Sequence, residues 1–196
     1  EWSRRRRASS AAWEDPGHYM RPASSRIKLI DFGNATYEDE HHSSIINTRQ
    51  YRGPEVLLGT NWDERSDLWS IGCILMELYS GEQLFETHEE LEHLALIERI
   101  IEELPEGMLA KAPQATRDKY LVQTSSGRWR LPWPQKAASP SSERHVFSQR
   151  PLIEQVLPHH VPFAEFVGKL LRLEPSRRPS AARSLQHSFF SQVFED

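Results

Sequence analysis

Residues Asp67 to Gly81 restrict the fold more than any other part of the chain. They read Asp-Leu-Trp-Ser-Ile-Gly-Cys-Ile-Leu-Met-Glu-Leu-Tyr-Ser-Gly. Leu68, Trp69, Ile71, Cys73, Ile74, Leu75, Met76, Leu78 and Tyr79 cover every side of a helical wheel. A helix that is apolar all round is enclosed by other elements on several sides. Ser66 or Asp67 can cap its start and Gly81 can close its end. A membrane span needs about 18 uncharged apolar residues, and Glu77 interrupts this run well short of that. The segment is therefore predicted to be the central helix of a soluble domain.

At 196 residues the chain suits one domain with ragged ends. The net charge of −4 provides no global field for nucleic acid or a membrane. The single cysteine, Cys73, excludes an internal disulfide and fits a reducing intracellular compartment, nucleus or cytoplasm. No signal-peptide pattern is present. Charge is segregated: nine glutamates lie between Glu82 and Glu106 against the one base Arg99, whereas bases dominate from Lys111 to Arg150. The acidic stretch is either a solvated helix face or an attractor of basic substrates.

Residues 1–25 carry no helical or strand period; Arg4–Arg7 is either a nuclear address or a solvated basic tail. Arg26–Ile30 alternates polar and apolar residues and predicts a short strand. Val56–Leu58 suggests a short helix stopped by Gly59. Glu89–Leu104 shows a helical stripe through Leu91, Leu94, Ile97, Ile101 and Leu104, ended by Pro105. The prolines and serines of 105–150 point to an extended, irregular insertion pinned by Trp129, Leu131 and Trp133. Pro162–Leu173 predicts a helix burying Phe163, Phe166, Val167, Leu170 and Leu171. Ser180 can cap a last short helix, and Phe189, Phe190, Val193 and Phe194 can dock a tail. His41, His42 and His93 lack metal-ligand spacing.

The chemistry begins at Asp31-Phe32-Gly33, which places a carboxylate just past the expected strand. A carboxylate there suits Mg²⁺, which takes one or two carboxylates together with phosphate oxygens. Alone the triplet is a weak signal. It is followed in order by Gly53-Pro54-Glu55, Asp67-Leu68-Trp69-Ser70-Ile71-Gly72 and Glu174-Pro175-Ser176-Arg177-Arg178-Pro179. With these motifs the sequence resembles a eukaryotic protein kinase, with Gly-Pro-Glu in place of the family's Ala-Pro-Glu. Glu92-His93-Leu94-Ala95-Leu96-Ile97-Glu98-Arg99-Ile100 resembles the Glu-His-Leu-Ala-Met-Met-Glu-Arg-Ile signature of LAMMER (Clk-type) dual-specificity kinases. The two differences, Leu96 and Ile97, conserve volume and apolarity.

The resemblance implies a mainly α chain forming the C-terminal lobe of the protein-kinase-like fold, itself α+β overall. Residues 1–25 would be a variable insertion, 26–190 the partial kinase domain and 191–196 a tail. Asp31, with Phe32 and Gly33, would hold Mg²⁺ on the ATP phosphates. Thr48 would contact the catalytic loop. Arg49, Gln50, Tyr51 and Arg52 would shape the pocket for the substrate residue after the phosphorylated one. Glu55 would pair with Arg178, and Asp67 would hold the catalytic loop from below. Glu92, His93, Leu94, Ala95, Glu98 and Arg99 would lie on the family's G helix, and Asp67–Gly81 would be its F helix. The implied substrates are serine, threonine or tyrosine in arginine-serine-rich splicing proteins. The chain contains no His-Arg-Asp loop, so the polypeptide alone is expected to be inactive. It would be part of a longer kinase or a catalytically dead binding module. One side of the central helix, with no catalytic loop over it, is expected to show an exposed apolar patch.

Overall fold

Trp69, Cys73 and Met76 lie at the centre of a continuous apolar core and are fully buried. The structure is a computed structural model describing residues 24–193. The chain divides into two compact units, Glu1–Glu40 and His41–Asp196. The Arg4–Arg7 run and Phe194 lie outside the described residues.

In the first unit, Arg26–Ile30 is not a strand. Ile27, Leu29 and Ile30 are exposed, and no ladder partner runs beside them among the described residues. Alternation alone cannot hold a strand whose backbone groups have nothing to pair with. A single 3₁₀ turn, Phe32–Asn34, comes after Asp31, whose backbone is left-handed at φ 65° and ψ 65°.

The second unit is helical. Helix α1 spans Pro54–Leu57, and α2, the central helix, spans Arg65–Ser80. Its start lies earlier than the sequence suggests. Ser66 is buried and donates its hydroxyl to Glu55, so it is not free to cap. The residue at the cap position, Glu64, makes no side-chain cap bond, and just ahead of it Asp63 Oδ1 accepts from Arg65 N at 2.9 Å. Gly81 closes the helix at φ 76°, as its lack of a Cβ allows. Burial is not uniform around α2. Ile71, Ile74 and Leu78 are 43%, 42% and 78% exposed and line one side. These three residues make an exposed apolar stripe on this helix.

Helix α3 runs Glu90–Ile100, with the Glu89 carboxylate capping the amides of Leu91 and Glu92. It ends before Pro105, which instead precedes α4, Glu106–Lys111. The region expected to be irregular is ordered: α5 spans Gln114–Tyr120, strands β1 (Val122–Gln123) and β2 (Trp129–Arg130) form a hairpin, and α6 spans Pro140–Ser148. The prolines explain the difference. Pro105 and Pro113 stand immediately before α4 and α5, and Pro140 opens α6 behind the cap Ser139. In those positions the missing N–H costs nothing.

Helix α7, Val161–Leu170, packs against α2 and buries Phe166, Val167 and Leu170. At Gly72 the two helices approach so closely that a Cβ would lie 2.8 Å from Leu171 Cδ2. Helix α8, Ala181–Ser184, is capped by Ser180 as its sequence predicts. Phe189 then stacks on Phe166 and meets Phe163 at a tilt, whereas Val193 is exposed. No described helix is long and apolar enough to cross a membrane.

Candidate functional site

The best-defined polar assembly joins α1 to the turn before α8. Glu55 and Arg178 are both buried and meet in a bidentate pair, Nη1 to Oε1 and Nη2 to Oε2, each at 2.7 Å. Ser66 adds a third bond to Glu55 at 2.8 Å. The remaining guanidinium hydrogens go to the carbonyls of Arg65, Arg172 and Leu173. All five Arg178 donors are used, which is the condition for a guanidinium to rest in a dry site. Its plane also lies 5.0 Å from the Trp69 ring centroid. This cluster fixes where α1, and the strip before it, sit on α2.

That strip is Thr48–Arg52, with a 3₁₀ turn at Arg49–Tyr51. Every residue after Thr48 is tied down. Arg49 donates to Glu90 at 2.7 Å and Gln50 to the Thr87 carbonyl at 3.1 Å. The Tyr51 hydroxyl donates to Glu77 at 2.5 Å, and its carbonyl accepts from Ser70. The bond to the Glu77 carboxylate, aided by burial, raises the Tyr51 phenol above its ordinary range. Arg52 Nε folds back onto the carbonyls of Ile46 and Asn47. Asn47 adopts φ 60° and bonds Ser70 through its amide. Thr48 is exposed.

The motif on α3 divides by face. Leu94 and Ala95 are buried in the core. Glu92 accepts from the Thr87 and Ser142 hydroxyls. Glu98 accepts from Leu104 N and Arg99 donates to the carbonyls of Gln149 and Phe147, so the two hold the helix end and the end of α6. Burial raises the Glu98 carboxyl. His93 is fully buried against Phe85, and neither ring nitrogen has a hydrogen-bond partner among the described residues. Burial, with the charges of Arg49 and Arg52, pushes its pKa down to about 3. A solvated face therefore describes only part of the acidic stretch: Glu89, Glu90, Glu92 and Glu98 are engaged, whereas Glu86, Glu102, Glu103 and Glu106 are exposed.

Asp67 is exposed, and partial desolvation raises its carboxyl. Asp31 is exposed as well, in the other unit, and offers one carboxylate to a cation. That fits a single ligand of a Mg²⁺ that shares its shell with phosphate oxygens and water. No three His, Cys, Asp or Glu side chains gather into a metal cage among the described residues. Cys73 is a buried free thiol, pushed up by burial, and inert.

Glu77, Glu90 and Asn47 were not legible as site residues in the sequence. Glu77 had a signal, as the one charge inside an otherwise apolar helix. Glu90 had none, since it looked like any other acid in its stretch.

The motif order and the buried Glu55–Arg178 pair agree with the likeness to known proteins. A family model described as the protein kinase domain matches residues 19–190. The chain belongs to the protein kinase family. Serine/threonine-protein kinase AFC1 of Arabidopsis thaliana is 43% identical over 186 residues, 91% of this chain and 38% of the relative. Dual specificity protein kinase CLK4 of Mus musculus is 41% identical over 168 residues, 84% of this chain and 33% of the relative. A solved crystal structure of a kinase domain matches with a TM-score of 0.76 and 47% identity, over 83% of this chain and 46% of that one. The chain thus has the protein kinase fold and is similar to Clk-type, LAMMER kinases. It spans less than half the length of each of these relatives.

Proposed function

We propose that this chain is the substrate-side part of an ATP-dependent, LAMMER-type dual-specificity kinase. The reaction is transfer of the ATP γ-phosphate to serine, threonine or tyrosine of arginine-serine-rich splicing proteins, in the nucleus or cytoplasm. One observation carries the reading: Arg49–Arg52 is bonded residue by residue to α2, α3 and the loops beside them. Positioning is most of what a protein contributes to phosphoryl transfer. A strip held at every residue is preorganised to receive an extended peptide. Asp31 would supply an oxygen ligand to Mg²⁺, which neutralises charge on the phosphates. Thr48 and Asp67 would meet the catalytic loop. The exposed Ile71, Ile74 and Leu78 would be covered by elements not present in this chain. A catalytically dead binding module is the second reading.

The test uses the natural full-length protein that contains this chain, with labelled ATP and an arginine-serine repeat peptide. Transfer that falls at least a hundredfold in Asp31→Asn supports the kinase reading. Peptide binding without transfer would establish the module instead. The 196-residue chain alone is expected to transfer no phosphate, and turnover by it would refute that expectation.

A further inference from the structure

Three separate parts of the chain meet at the carboxylate of Glu90. It stands in the first turn of α3. Its Oε1 accepts from Arg49 of the strip at 2.7 Å, and its Oε2 from the hydroxyl of Tyr120, the last residue of α5, at 3.3 Å. Burial works to raise the Glu90 carboxyl, but the bond and charge of Arg49 outweigh it and hold the group below its ordinary range. Arg49 and Glu90 are each 33% exposed, so their side chains border the surface a ligand would touch. Arg52 lies three residues after Arg49. Desolvation, then the charge of Arg49, lowers its pKa. The strip therefore carries two guanidinium groups that sense each other, and Glu90 is bonded to the first.

We infer that Glu90 is a specificity-setting positioning residue: by holding and neutralising Arg49, it lets the strip accept a basic side chain after the phosphorylated residue. The inference rests on the proposed role of Thr48–Arg52 as that pocket. With Glu90 present, the Arg49 end of the strip is close to neutral, and a substrate arginine meets little repulsion. With the carboxylate removed, Arg49 swings free beside Arg52, and an incoming arginine faces two like charges. Discrimination then comes from a repulsive element, which is how like-charge juxtaposition selects partners. Tyr120 holds the second oxygen of Glu90, so the segment between α3 and α7 shares in this selection.

The assay compares two serine peptides that differ only in the residue after the serine, Arg or Glu. It measures the ratio of their kcat/KM values in the natural full-length protein. Glu90→Gln is expected to lower the Arg-to-Glu ratio by roughly two- to fivefold, the size of a part-exposed charge pair. Arg49→Gln, which leaves Glu90 unneutralised, is expected to raise it by a similar factor. Tyr120→Phe should lower it less than Glu90→Gln does. A purely structural role would move both charge variants in one direction, or leave the ratio unchanged while lowering the melting temperature; either result overturns the inference and leaves the kinase reading intact. If Glu90→Gln does not fold, Arg49→Gln alone decides: a ratio that does not rise overturns the inference. If the wild-type protein phosphorylates neither peptide, the kinase reading falls and this inference falls with it.

Discussion

Replacing Arg178 by methionine should come close to unfolding the protein. The methionine fills the stem of the old side chain, so little cavity is left and the cost is electrostatic. Glu55 keeps only the Ser66 hydroxyl as partner. A buried carboxylate stripped of its cation costs about 3–5 kcal/mol. The carbonyls of Arg65, Arg172 and Leu173 each lose a donor. At about 1 kcal/mol apiece they bring the loss to roughly 6–8 kcal/mol. A typical domain has about 5–15 kcal/mol in total.

The informative comparison is with the double variant Glu55→Leu/Arg178→Met. Removing both charges takes one donor from each of three carbonyls and the acceptor from one hydroxyl, but leaves no buried ion. The double variant should be more stable than Arg178→Met alone by about 2 kcal/mol or more. Urea unfolding of wild-type, both single variants and the double variant, followed by tryptophan fluorescence, supplies the cycle. Trp69 beneath the guanidinium is one of the six tryptophans that contribute to the signal. If Arg178→Met costs under about 1 kcal/mol, or the double variant loses the sum of the single losses, the pair is not a dry, mutually dependent cluster.

Other outcomes rest on single contacts. Gly72→Ala should destabilise by about 1–3 kcal/mol, because the new methyl meets Leu171 at 2.8 Å between two packed helices; thermal melting checks it. Ser180→Ala removes the cap of α8 and should cost about 1 kcal/mol in the same assay. His93 is neutral when folded down to a pKa of about 3, whereas the unfolded chain takes up its proton near the ordinary value of 6.5, so stability is full above that pH and falls by about 1.4 kcal/mol per unit between the two. His93→Leu should flatten that part of the profile, measured as urea midpoints at about pH 7.5 and 5.5. The exposed Ile71, Ile74 and Leu78 should make the 196-residue chain self-associate, and Ile74→Glu with Leu78→Glu should reduce that in sedimentation velocity.

Legibility in the sequence divides by the range of the interactions. The central helix was legible because its apolar residues and its glycine cap are a local pattern. The caps at Ser139 and Ser180 obey the same local chemistry, yet only Ser180 was recognised, because the prolines after residue 104 looked like breakers. Pro105, Pro113 and Pro140 are starts, and telling a start from a breaker depends on the residues after each proline. The Arg26–Ile30 alternation failed for the opposite reason: a strand is a property of two segments, and the described chain provides only one. The site obeys the same division. Motif order pointed to the strip and to the Glu55–Arg178 pair 123 residues apart, but not to the carboxylates that hold the strip. Glu77 and Glu90 reach Tyr51 and Arg49 across separations of 26 and 41 residues. Nothing local distinguishes Glu90 from Glu89, one residue earlier, which caps a helix instead. Sequence assigns a side chain its charge, and only the fold assigns that charge a partner. On the inference drawn above, substrate preference would depend on such a partner, Glu90, a glutamate that no motif marks.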